Sequence, residues 1–374
     1  MINNSNMSNY LKKLQEIRWS VIFIMTVIAS IGFMVLFSAA GGSLDPWAKK
    51  QIWRYGVGLI ILVTIASTDL RLWMALSYPL YCVTLLLLVG VEMIGKTGMG
   101  AQRWIDLYIF PFQPSELMKM TLLMALARYF HLLVPREIHK LRVLVLPFLL
   151  VILPAILVLR QPDLGTAVLL MGAGFAIFFV AGIRLWLVLT AIGGVIISLP
   201  LLWHFLHDYQ KQRILTFLEP ERDPLGAGYH ILQSKIALGS GGFWGKGFGS
   251  GSQSYLNFLP EKQTDFIFAM LCEEFGTIGG VLLIILYMLL LAYGFRVAFQ
   301  SRSTYGRLLG VGLIVLFFLY VFVNMAMVMG LLPVVGVPLP LVSYGGTAML
   351  TVMMGFGLLM SIDLHREHRI SRSI

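Results

Sequence analysis

From Trp19 onward the chain repeats one pattern, an apolar run of about twenty residues followed by a short polar break. A helix rises about 1.5 Å per residue, so roughly 20 apolar residues cross the hydrocarbon layer of a bilayer. With 58% hydrophobic and 12% charged residues, the chain carries more apolar surface than one water-soluble core can hide. Lipid is therefore the solvent for most of it. The pattern predicts an all-α integral membrane protein of about ten transmembrane helices. The spans fall near 18–40, 52–67, 74–95, 114–134, 143–158, 164–182, 184–205, 266–296, 307–331 and 341–362. Residues 1–17 and 363–374 are then terminal segments, and 206–263 forms a large loop between the seventh and eighth spans. The first run follows Lys12, Lys13 and Arg18 and ends in small residues, as a signal peptide does, but its length favours a retained anchor.

The net charge of +10 points to orientation and not to nucleic acid, because the basic residues are scattered between spans. With the N-terminus inside, the inner segments hold Arg128, Arg136, Lys140 and Arg142, then Arg296, Arg302 and Arg307, then Arg366, Arg369 and Arg372. The short outer loops hold fewer, among them Lys49, Lys50, Arg54, Lys96, Arg103 and Arg160. That asymmetry predicts both termini in the cytoplasm and the large loop on the periplasmic side. Within the loop, Tyr229, Ile231, Leu232 and Ile236 follow helical spacing, as in a helix lying on the membrane surface. Gly239, Gly241, Gly242, Gly245, Gly247, Gly249 and Gly251 follow, a density that suits tight turns and close backbone approach. Cys82 and Cys272 both sit in apolar runs and read as packing residues, so neither a disulfide scaffold nor a metal site is implied.

Charged groups inside spans are few, and each costs roughly 2.5 to 3.5 kcal/mol to insert unless it faces protein or an aqueous cavity. Glu116 and Lys119 lie three residues apart on one helical face, either as a clamp between helices or as the wall of a polar cavity. Arg103, Trp104 and Asp106 stand at the mouth of the same helix, where an Arg can bind diphosphate and a Trp can stack on a sugar or anchor at the interface. Asp163 precedes the sixth span as an N-cap that can also face a site. The apolar run from Phe266 to Phe299 would make a helix of about 51 Å, so it must tilt strongly or stand partly inside protein. Glu261, Asp265, Glu273 and Glu274 cluster at its outer end, with Thr264 as the expected N-cap and Asp265 as the first helical residue. Gly336 to Thr347 is interrupted by Pro338, Pro340, Gly345 and Gly346, which predicts a broken or re-entrant element offering Ser343 and Tyr344 as donors.

Taken in order, Gly100 to Ile105 (GAQRWI), Pro114 to Leu117 (PSEL), Gln161 to Thr166 (QPDLGT), Leu259 to Phe268 (LPEKQTDFIF) and Leu339 to Gly346 (LPLVSYGG) make the chain resemble the SEDS family of shape, elongation, division and sporulation proteins over nearly its whole length. Asp223 to Tyr229, Gly239 to Gly242 and Val334 to Pro338 are more similar to its elongation-type members. Arg160 stands where many members have Lys and Gln263 where many have His, which removes one candidate base. The resemblance implies a peptidoglycan glycosyltransferase of the bacterial inner membrane. It would polymerise lipid II into glycan strands on the periplasmic face, within an elongation complex and beside a class B penicillin-binding protein. It maps the catalytic carboxylate onto Asp265, beside which the residues themselves offer Arg103, Trp104, Glu116, Lys119, Asp163, Glu261, Ser343 and Tyr344 as candidate substrate-binding groups. No compact ligand motif demands a cofactor, and a divalent cation near the diphosphate is compatible with the acidic cluster.

Polar spans and broken helices also describe a flippase for the same lipid-linked precursor, and a catalytically silent scaffold is a third reading. A flippase needs a pathway open to each side in turn. The acidic residues here gather at one end, which favours the enzyme.

Overall fold

The computed structural model describes residues 15–98, 101–106, 111–134, 136–138, 140–184, 186–187, 190, 193–194, 197, 211, 215–219, 227–255, 258–259 and 261–371. Most of the expected span at 184–205, most of 206–226 and the start of the Asp223–Tyr229 motif lie outside the described residues. In chain order the elements are α1 (Trp19–Ala39), α2 (Ala48–Ser67), α3 (Leu70–Ile94), β1 (Lys96–Gly98), β2 (Ala101–Asp106), β3 (Pro111–Phe112), α4 (Pro114–Leu132), α5 (Leu141–Arg160), α6 (Leu164–Val180), α7 (Ala227–Ser240), α8 (Ser252–Tyr255), α9 (Ile267–Gln300), α10 (Thr304–Val328) and α11 (Gly346–Leu364). Among the described residues, α1, α3, α5, α9, α10 and α11 are long and apolar enough to cross a membrane. α2 and α4 are as long but more polar, with Lys49, Lys50 and Arg54 on one and Glu116, Lys119 and Arg128 on the other.

The fold is helical with one departure from the expected all-α class. Strands β1, β2 and β3 form a small antiparallel sheet, in which Lys96 pairs with Trp104 and Ile105 with Phe112. The segment between α3 and α4 is too short and too punctuated by Gly and Pro for another helix, so its backbone groups pair across strands.

Burial separates a centre from a periphery. The apolar windows of α10 and α11 are 78% and 72% buried, against 28% for α5, which turns much of its surface outward. α4 is buried almost throughout. Small residues allow close contact: a Cβ on Gly294 of α9 would stand 2.3 Å from Ile314 of α10, and one on Gly357 of α11 would stand 2.9 Å from the Leu62 carbonyl of α2.

α9 resolves the excess length of its sequence run. At Gly276 the backbone turns to φ +65°, breaking the helix after a first segment, Ile267 to Glu274, that is buried throughout. The remainder, about 24 residues or about 36 Å, is a normal span with an exposed outer face.

Contacts sort the two ends of the bundle. At one end Arg18 pairs with Asp363 at 3.2 Å, Ser361 Oγ donates to Thr68 O, Arg302 N–H donates to Arg366 O, and His131 meets Ser371 O. At the other, Ser38 meets Glu274, Gln51 meets Ser343, and Gln113 meets Asp163. The segments flanking the two termini therefore share one end. Asp265, the glycine-rich loop and the sheet occupy the opposite one.

Candidate active site

Asp265 lies in a turn and not in a helix. α9 begins at Ile267 with Phe266 as N-cap and no side-chain cap, so neither the expected Thr264 cap nor a first-turn position for Asp265 is found. The Thr264 hydroxyl donates instead to Glu261, at its carbonyl and at Oε2, both at 3.2 Å. That hydroxyl serves the turn, and Asp265 stands just before the N-cap of α9.

The turn is held from behind by three backbone acceptors in succession. Tyr344 N–H donates to Gln263 O at 2.8 Å, Ser343 Oγ to Thr264 O at 2.6 Å, and Asn324 Nδ2 to Asp265 O at 3.0 Å. The same Asn324 amide donates to Val337 O at 2.7 Å, and Leu339 N–H donates to Ser343 Oγ. Asn324 on α10 and the non-helical segment before α11 thus fix one strip of backbone. Asp265 is half-buried, and its Oδ2 lies 3.6 Å from where a Cβ on Gly336 would stand. A side chain at Gly336 would touch that carboxylate at ordinary contact distance, but its φ of +72° is one that favours glycine. Glu261, at φ +51°, accepts from Gln263 Nε2 at 3.1 Å, and burial holds the Lys262 ammonium below the ordinary lysine pKa.

The expected substrate-binding residues fall into two further groups. Arg103 donates to the carbonyls of Gln161, at 3.1 Å, and Pro162, and stands 3.8 Å from Asp163 Oδ2. Asp163 caps α6 through Thr166 N–H and accepts from Gln113 Nε2, so the sheet, α4 and the α5–α6 turn meet on one carboxylate. Trp104 is half-buried in β2 beside Arg103. Glu116 and Lys119 close on themselves: Lys119 Nζ donates to Glu116 Oε1 at 2.8 Å, Tyr320 OH to Glu116 Oε2 at 2.6 Å, and Lys119 also contacts the Tyr320 hydroxyl. All three are buried, which is the clamp geometry of the two readings. Ser343, expected as a donor to substrate, has its hydroxyl on Thr264 O instead, while Tyr344 lies beneath a guanidinium.

That guanidinium belongs to Arg54, which the sequence marks only as a loop charge. Its Cζ lies 4.7 Å from the Tyr344 ring centroid, and its Nη1 is buried with no hydrogen-bond partner. Gln51, one turn earlier, donates to Ser343 O at 2.8 Å and accepts from Gly345 N–H. Neither residue carries a motif; only their spacing on α2 would have hinted at a shared face.

The glycine-rich loop packs into the break of α9 with its backbone in close contact. A Cβ on Gly241 would stand 2.1 Å from Cys272 O, and one on Gly245 2.1 Å from Glu274 O. Lys246 N–H and Gly247 N–H donate to Glu273 O and Glu274 O, and Thr277 N–H donates to Gly242 O. Glu273, fully buried, accepts on Oε1 from Lys246 Nζ at 2.7 Å, Ser252 Oγ at 3.1 Å and Gln253 N–H at 3.1 Å. α7 packs beside this loop through Ile231, Ser234 and Ala237, leaving Leu232 and Ile236 exposed. No group of three or more His, Cys, Asp and Glu among the described residues is arranged to hold a metal ion.

The profile of the cell cycle protein family, that of FtsW, RodA and SpoVE, matches residues 18–368. Peptidoglycan glycosyltransferase MrdB of Escherichia coli K12 is 43% identical over 377 residues, covering 100% of both chains. Stage V sporulation protein E of Bacillus subtilis is 34% identical, covering 93% of this chain and 97% of its own. Among solved structures, one chain of a peptidoglycan synthase complex that coordinates polymerization and crosslinking superposes with a TM-score of 0.79 at 34% identity, covering 94% of this chain and 98% of that one. The rod shape determining protein RodA of Thermus thermophilus superposes with a TM-score of 0.71 at 29% identity, covering 94% and 98%.

Proposed function

We propose, on the premise that this chain belongs to the cell cycle protein family of FtsW, RodA and SpoVE, that it is a membrane-embedded peptidoglycan glycosyltransferase in which Asp265 is the general base. The observation that carries the assignment of Asp265 is the pinned turn. Asn324, Ser343 and the Tyr344 amide hold the backbone on both sides of a half-buried carboxylate. A positioned carboxylate of this kind takes the proton of an acceptor sugar hydroxyl as the new bond to the anomeric carbon of lipid II forms. The bond from that carbon to the lipid diphosphate breaks, and the diphosphate leaves with the electron pair.

Developing charge on the diphosphate needs cations with donors to spare. Arg54 has an unspent buried N–H beside the same backbone strip. Arg103, partly exposed at the rim, adds a second guanidinium whose remaining N–H groups are open to ligand. Lys119 and Glu116 brace α4 against α10 behind the site. Because the acidic residues are dispersed, no step is assigned to a divalent cation.

The arrangement of the ends supports ten spans with both termini in the cytoplasm. α6 finishes at the end bearing the termini, where Phe178 meets Phe130, and α7 stands at the Asp265 end, in keeping with the expected ten spans. The Asp265 end then faces the periplasm, where a penicillin-binding protein can crosslink the product. Single cysteines at Ser252 and Ser371 report this with an impermeant reagent on spheroplasts: position 252 should label and 371 should not, and the reverse pattern would invert the topology.

Polymerisation of purified lipid II tests the mechanism. Asp265→Asn keeps size and most hydrogen bonding while removing the basic oxygen, and it should lose about 100- to 10,000-fold in rate with the melting temperature unchanged. Arg54→Gln should lose about 100-fold. Near-normal polymerisation by the Asn variant would sink the assignment and move attention to Glu261.

A further inference from the structure

A second feature shares Lys262 with the turn that carries the proposed base. A cavity of about 350 Å³ is bounded by Ser38 at the end of α1, Gly41 after it, Trp47 at the start of α2, Gly249 of the glycine-rich loop, Lys262 and Glu274. Glu274 is 2% exposed. The Ser38 hydroxyl donates to its Oε1 and the Gly249 N–H faces the same carboxylate, yet Oε2 is buried without a hydrogen-bond partner. A carboxyl oxygen buried without a partner is costly in either protonation state, so a site built around one is built to receive a ligand. Neighbouring Glu273 has a partnerless Oε2 as well, but Lys246 pairs with its other oxygen and it does not line the cavity.

We infer that this cavity is a saccharide subsite, which holds one sugar ring of the glycan whose reacting end is presented to Asp265; the inference rests on the polymerase reading above. The walls match a sugar on three counts. Glu274 Oε2 accepts from a hydroxyl or amide N–H, and Lys262 donates to the oxygens that hydroxyls also present. Trp47 is half-buried, makes no capping bond and offers an aromatic face to the apolar face of a pyranose. The volume equals about a dozen waters at about 30 Å³ each, which is the room of one substituted hexose ring. Gly41 and Gly249 present bare backbone at φ +70° and +72°, with nothing within 4 Å of an added Cβ, so the ring meets no side chain there. Lys262 ties the cavity to the base, since it belongs to the turn that carries Asp265.

The test separates binding from turnover. Full-length Asp265→Asn protein in mild detergent is titrated calorimetrically with a soluble tetrasaccharide of β-linked N-acetylglucosamine, with cadaverine as a competitor. Binding is expected, weakened about 10-fold or more by Glu274→Gln and by Trp47→Leu, and unaffected by cadaverine. Trp47→Leu keeps an apolar residue at a position with no capping role, so it stands if Glu274→Gln misfolds. In lipid II polymerisation with Asp265 intact, the same substitutions should raise KM about 10-fold with kcat nearly unchanged. No binding to the parent protein, equal binding by both variants, or displacement by cadaverine would each overturn the subsite, the last by showing an amine site instead. Saccharide binding that both variants abolish, in a protein that never polymerises lipid II, would keep the subsite and discard the polymerase reading.

Discussion

Two buried carboxylate arrangements in this molecule use the same residue types and reach opposite ends. In the middle of the bundle, Glu116, Lys119 and Tyr320 satisfy one another, with each carboxylate oxygen taking a donor within 2.8 Å. At the outer end, Glu273 and Glu274 are adjacent and buried, Lys246 serves only the first, and Oε2 of each is without a partner. A closed set of charges braces helices, because nothing in it is left to attract a ligand. An open set destabilises the resting fold and is kept where a ligand or proton completes it.

The comparison breaks most sharply at Lys119. Lys119→Met leaves Glu116 charged and buried with only Tyr320, and it should cost about 3 to 5 kcal/mol, read as a large fall in the thermal midpoint of the purified protein. Combining it with Glu116→Leu should recover most of that loss, since an apolar pair needs no compensation. A double variant as unstable as the single would show that the triad does more than brace. The second effect is smaller and opposes two neighbours. Glu273→Gln removes the partner of Lys246 and should lower stability by about 1.5 to 3 kcal/mol, Lys246 being 28% exposed and able to rehydrate. Glu274→Gln removes a carboxylate charge that lacks a cation and should leave stability unchanged or raised. Equal losses from the two substitutions would erase the distinction between closed and open.

The sequence alone determined the helices, because apolar runs of span length have few other ways to satisfy their backbone in lipid. It determined that the stretch entered at Gly336 is broken, since Pro338 and Pro340 remove donors, although the helix resumes at Gly346 and not at the expected 341, and that the loop of glycines meets other backbone closely. It singled out Asp163 as a cap, and Asp265 through motif resemblance. Residues 96–112 escaped the all-α reading because strand pairing at a helix mouth depends on partners as well as on pattern. The Thr264 cap failed for a related reason: its hydroxyl has two acceptors on Glu261, and local geometry chose between turn and helix.

Only the tertiary structure decided which polar groups are spent. Ser343 and Tyr344 sit in one short motif, yet one braces a carbonyl and the other lies under Arg54. Arg54 and Asn324 stand apart from every motif quoted above, yet Asn324 holds the backbone that carries Asp265 and Arg54 lies over Tyr344, whose amide holds the same turn. Glu273 and Glu274 are identical neighbours in sequence. The break at Gly276 and the glycine loop packed into it bring Lys246 to the first and a cavity to the second. Residue type and spacing fix what a group can donate or accept; only packing fixes which partners are already there, and so which oxygen is left for a ligand.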